Sequence, residues 1–141
     1  MIVRFSFERA QSKIFGDIWR PVAQVVFTSP RDPQRKQETW LLVDSGADYT
    51  LLPRYIGLDL EVNFETDCKP FHTSGIGGME KVFLLPEIEA QLGDFKRKIP
   101  VGFLDRDEVP PLLGRHLFME TFETYFSSDH TTSFSDTPFR Q

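Results

Sequence analysis

Residues 41–53 constrain this chain more than any other stretch: Leu41-Leu42-Val43-Asp44-Ser45-Gly46-Ala47-Asp48-Tyr49-Thr50-Leu51-Leu52-Pro53. An apolar run beginning at Trp40 drives straight into an acid. Ser45 and Gly46 follow, then a second acid, then an apolar pair closed by Pro53. A short apolar run bounded by turn residues reads as a buried strand. Ser-Gly after Asp44 reads as a turn. Asp44 is therefore expected where a core strand enters a tight loop. A carboxylate there is costly to bury unless it is hydrogen-bonded, paired or protonated, which makes it a candidate for chemistry. On these residues alone, the competing account is a turn aspartate that caps its own loop.

The rest of the chain reads as short strands and turns. Residues 2–8 alternate apolar and polar, the mark of a strand, either an outer sheet strand or a dimer strand. Residues 10–20 read as a mixed connection around Gly16-Asp17. Residues 21–27 read as a core strand. Residues 29–36, with two prolines, read as an exposed hairpin tip whose Arg31, Arg35 and Lys36 are solvated. The strand into Asp44 covers residues 38–43, and residues 49–53 leave the loop. Residues 54–60 suggest a short helical turn interrupted by Gly57, and 61–67 are acidic and irregular. Two strands around Ser74-Gly75-Ile76-Gly77-Gly78 make a hairpin. Residues 86–92 and 95–104 make a second, with Gly93-Asp94 as its turn. Residues 114–120 read as a short helix. Strands are expected at 122–126 and 131–134.

The 14 Phe and 10 Pro suit many short strands and turns rather than long helices. The expected fold is all-β and barrel-like, with one short C-terminal helix. A single domain is expected over residues 1–134, followed by a loose tail, 135–141.

Composition narrows the function classes. A net charge of −5 argues against nucleic acid as the main partner. No apolar run approaches the ~20 residues of a membrane helix, and residues 1–6 carry no signal-peptide core. The single cysteine, Cys68, cannot form an intrachain disulfide and suits a reducing compartment. A cytoplasmic protein with no membrane partner is expected. Lys69 adjoins Cys68, but adjacent strand residues point to opposite faces, so the thiol should be inert. His72, His116 and His130 lack metal-ligand spacing. No metal and no cofactor are expected.

Three motifs occur in order. Asp44-Ser45-Gly46-Ala47 resembles the catalytic loop of aspartic proteases, Asp-Thr/Ser-Gly-Ala. Gly75-Ile76-Gly77-Gly78 resembles the glycine-rich flap tip of retroviral proteases, and Leu112-Leu113-Gly114-Arg115-His116-Leu117 their apolar-apolar-Gly-Arg helix. Asp-Ser-Gly alone is a weak signal; three motifs in family order are a strong one. Over roughly residues 22–134 the chain resembles a retropepsin-like aspartic protease, of the cellular kind found in microbes rather than a viral polyprotein fragment.

That resemblance implies a small closed acid-protease barrel with a flap hairpin. It implies an aspartic endopeptidase acting on an extended peptide or protein. One Asp-Ser-Gly supplies one catalytic acid. The second would be Asp44 of another copy, so a homodimer with a twofold axis through the site is implied. Two carboxylates at that range share one proton, which serves both water activation and leaving-group protonation. By the same resemblance, Ser45 holds the two loops together across the axis. Gly46 lets substrate backbone approach, and Ala47 keeps the floor small. Asp48 bonds substrate main chain and pairs with Arg115. Thr50 bonds inside the loop, and Gly114 lets the helix pack closely beneath it. Gly75, Ile76, Gly77 and Gly78 form the flap. Leu52, Ile76, Val82, Leu112 and Leu113 are the candidate pocket walls. Removing Arg115 should damage folding or assembly by stranding Asp48.

Two departures stand out. Ser45 replaces the frequent Thr. Viral enzymes end soon after the helix, whereas here residues 122–141 follow and the N-terminal arm is longer, so the construction of the interface is open. A non-catalytic peptide- or protein-binding module on the same fold is the alternative.

Overall fold

The computed structural model describes residues 1–75 and 78–139. The chain is mostly β. Twelve strands are described: β1 (Ile2–Ser6), β2 (Glu8–Ser12), β3 (Gly16–Arg20), β4 (Val22–Thr28), β5 (Lys36–Val43), β6 (Thr50–Leu52), β7 (Lys69–Gly75), β8 (Gly78–Leu92), β9 (Phe95–Leu104), β10 (Leu112–Leu113), β11 (Glu123–Phe126) and β12 (Thr131–Ser135). One α-helix, α1 (Arg54–Asp59), lies between β6 and β7.

Seven strands form the main sheet, in the order β4-β5-β10-β6-β9-β8-β7. β4 also pairs with the far half of β8, with Val26 opposite Gln91. This bends the sheet into a partial ring, where a fully closed barrel was expected. Alternation drives the bend. On β4 the side chains of Ala23, Val25 and Phe27 are fully buried, and on β5 Leu41 and Val43 join them. Side chains two apart share a face, so one face of each strand lines the core. β8 serves both halves because its pairing with β9 shifts register between Leu85 and Ile88. Pro86 lies at that irregularity, where a missing N–H is tolerated.

A second sheet, β1-β12-β11, covers one side. Phe134 of β12 is fully buried between Phe5 and Phe122, with both ring pairs edge-on. β1 pairs with β12 of its own chain and forms the edge of this sheet. Ser135, expected to open the loose tail, is instead the last residue of β12 and is buried.

The helix is not where the C-terminal motif placed it. Residues 114–120 form turns that lead into a short 3-10 helix, Met119–Thr121. Leu117 sits at φ 59, a left-handed conformation that ends any right-handed helix for a residue with a Cβ. Its N–H donates to Glu120 Oε1 at 2.9 Å. The path is set by packing: Phe118 is fully buried, and Met119 and Phe122 are buried after it. The helical turn expected over 54–60 is α1, Arg54–Asp59, and it runs through Gly57 without the expected interruption. A Cβ at Gly57 would lie 2.6 Å from the Phe64 ring, so the glycine lets α1 settle onto that ring.

Residues 10–20, read as a mixed connection, instead belong to the β2–β3 hairpin, which begins at Glu8. Both its faces are largely exposed, so the alternation that betrays a half-buried strand is weak. The available signal was a three-residue loop, 13–15, followed at once by glycine. Gly16 takes φ 73, and Ser12 Oγ accepts the N–H groups of Ile14 and Phe15.

Candidate active site

Asp44 stands where β5 gives way to a tight loop. Its backbone N–H donates to Leu113 O (3.0 Å), and Ala47 N–H closes the turn onto Asp44 O (3.1 Å). Gly46 N–H donates to Asp44 Oδ1 at 2.9 Å. The carboxylate is half-buried, while Ser45 and Gly46 are exposed. One carboxylate oxygen is thus oriented by the loop itself.

The loop is tied to the Leu112-Leu113-Gly114-Arg115 motif at several points. β10 inserts between β5 and β6, parallel to the first and antiparallel to the second. Gly114 N–H donates to the buried Thr50 Oγ1 (3.1 Å). Arg115 N–H donates to Ala47 O, and His116 N–H to Asp48 O. Gly114 is where a side chain is least possible: a Cβ there would lie 2.2 Å from both the carbonyl carbon and oxygen of Tyr49. The motifs around Asp44 and Gly114, 70 residues apart in sequence, form one unit.

Arg115 Nη2 and Asp48 Oδ1 form the expected pair, at 2.5 Å. Its setting differs from the expectation, because the Asp48 side chain is 81% exposed and Arg115 46%. Exposed pairs contribute little. Arg115→Ala should therefore cost under ~1 kcal/mol of chain stability in a denaturant titration. A loss of ~3 kcal/mol or more would show that the pair behaves as a buried one.

Leu52, Val82 and Leu113 are fully buried, so their side chains belong to the core rather than to an open pocket wall. Leu112 is half-buried. β7 and β8 form the expected antiparallel hairpin, from Lys69 opposite Leu84 to Gly75 opposite Gly78. Gly78 takes φ 108. Ile76 and Gly77, expected at the tip, lie outside the described residues. Tyr49 links the loop to this hairpin through an edge-on contact with Phe71, 6.3 Å between ring centres. Burial, and after it the Asp48 charge, pushes the Tyr49 hydroxyl above its usual range.

Beside the loop lies a groove of about 550 Å³. It is lined by Asp48, Tyr49, Arg115, His116, Leu117 and Glu120 together with Leu84, Pro86 and Pro100. Asp44 is not among its lining residues. The sequence pattern did not reveal this groove, because residues from separate segments of the chain meet there only after folding. Among the described residues, no three His, Cys, Asp or Glu side chains cluster to hold a metal ion.

Cys68 is buried, and burial, with the Asp67 charge adding to it, pushes its thiol up to about 11. The folded chain thus keeps a proton that the unfolded thiol releases near 9. This contribution to stability is full below pH 9 and is lost as pH rises toward 11. At pH 8, alkylation of native Cys68 should be about 100-fold slower than in the unfolded chain, since only thiolate reacts. Equal rates would show an exposed, ordinary thiol.

No family model matches this chain, and no curated protein matches it.

Proposed function

We propose that this chain is a retropepsin-like aspartic endopeptidase, active as a homodimer in a reducing, cytoplasmic setting. The observation that supports this most is the clamped loop: Asp44 oriented by Gly46 N–H, with Gly114 seated against Tyr49 and Thr50 beneath it. A rigid scaffold that presents one half-buried carboxylate beside two exposed small residues suits a site meant to meet its own copy.

In this proposal Asp44 and the partner's Asp44 share one proton. The anionic carboxylate takes a proton from a water molecule, whose oxygen attacks the scissile carbonyl carbon. The protonated carboxyl donates to the carbonyl oxygen. The tetrahedral species then collapses, the C–N bond breaks, and a carboxyl proton passes to the departing amine. A hydroxyl of the tetrahedral diol gives its proton back to the dyad as the carbonyl re-forms, so the products are an acid and an amine and the shared proton is restored. The partial ring of the main sheet serves as the acid-protease scaffold, and the β7–β8 hairpin acts as flap. Substrate lies between flap and loop as an added strand. Asp48 and the backbone of Gly46 and Ala47 hold its main chain, and the flap excludes water.

The test is peptide-library cleavage at a concentration where sedimentation shows a dimer, with Asp44→Asn as the control. Cleavage by the unaltered chain alone is expected. A chain that is monomeric and inactive at every concentration would overturn the proposal.

A further inference from the structure

The β2–β3 hairpin is a two-stranded sheet of its own. Its base is pinned. The Trp19 ring stacks on His130 at 4.7 Å and 16°, and Phe7 N–H donates to His130 O at 2.8 Å. Five-residue strands carry the tip about 17 Å from that base. At the tip, Ile14 is 82% exposed and Phe15 77%. Ser12 Oγ accepts both their N–H groups, so the tip has a defined shape. A rigid arm that holds two large apolar side chains in water, next to Lys13, is built for a surface outside its own chain.

The groove beside the Asp44 loop has the complementary character. Leu84, Pro86, Pro100 and Leu117 supply apolar walls. The carboxylates of Asp48 and Glu120 both remain accessible to solvent. The groove sets the carboxylates of Asp48 and Glu120 against Arg115; residues 8–20 of the arm carry one more basic than acidic side chain. The tip cannot fill its own chain's groove while both its apolar side chains are exposed. We infer that it enters the groove of a second copy, with Ile14 and Phe15 against the apolar walls and Lys13 facing Glu120. Twofold symmetry makes the exchange reciprocal, two arms for two grooves. This rests on the homodimer proposed above and names how that dimer is held.

The experiment is sedimentation equilibrium on the full chain and its variants. Ile14→Ser with Phe15→Ser should raise the dimer dissociation constant at least tenfold and leave the melting temperature unchanged at concentrations where both chains are monomeric, since neither side chain is packed within its own chain. Glu120→Lys should weaken the dimer, and adding Lys13→Glu should restore it. Should Glu120→Lys fail to fold, the tip variant alone decides. A tip variant that dimerises like the unaltered chain overturns the arm exchange and leaves the Asp44 dyad standing. An arm-dependent dimer that cleaves nothing upholds the exchange and removes the protease. Binding of phosphatidylserine vesicles through Ile14 and Phe15, with dimerisation unchanged, would make lipid the occupant and overturn the inference. A monomer at every concentration overturns both proposals.

Discussion

Gly114→Ala lowers the unfolding free energy by about 3 kcal/mol and the melting temperature by roughly 10 °C. The added Cβ would sit 2.2 Å from Tyr49 C and O and 2.8 Å from Thr50 N. All three are backbone atoms, so no rotamer change relieves the contact. Either β10 must withdraw from between β5 and β6, or the Asp44 loop must shift. Withdrawal also breaks the Gly114 N–H bond to Thr50 Oγ1 in the buried interior, which adds the cost of an unpaired polar group. Domains of this size are stable by about 5–15 kcal/mol, so the loss is a large fraction of the total. Chemical denaturation with an unchanged slope would read it directly. A variant within ~0.5 kcal/mol of the parent would mean that Gly114 is not seated against the loop.

If the proposed dyad operates, Asp44→Asn removes catalysis and leaves the fold in place. Cleavage should fall by at least ~10³-fold, the scale of losing a general acid–base pair. The amide keeps an oxygen that accepts Gly46 N–H, so the loop bond of 2.9 Å is retained. It cannot take a proton from water or hold the shared proton of a dyad. Stability should stay within ~0.5 kcal/mol of the parent, as for other changes that break no packing. Measuring both quantities on one preparation separates chemistry from folding. An Asn variant that cleaves at the parental rate would rule out Asp44 as the acid.

Much of the strand plan was legible because it is local. Residues 21–27 read as a core strand and form β4, Val22–Thr28, and Gly93-Asp94 joins β8 to β9 as a turn, with Gly93 at φ 59. The β2–β3 hairpin was not legible, since a strand exposed on both faces has no alternation to read. The segment 114–120 misled for the opposite reason. Its composition suits a helix, but burial of Phe118 and the left-handed Leu117 took the chain elsewhere.

By itself, the sequence determined that Asp44 ends a core strand and enters a tight Ser-Gly turn. Apolar run, acid and turn residues are neighbours in the chain, and short-range sterics and solvation decide their conformation. Only the tertiary structure decided what surrounds that turn. Insertion of β10 between β5 and β6, burial of Leu52, Val82 and Leu113, and exposure of the Asp48–Arg115 pair depend on segments far apart in sequence. A strand's period of two says which residues share a face. The elements packed against that face decide whether it becomes core, groove or open surface.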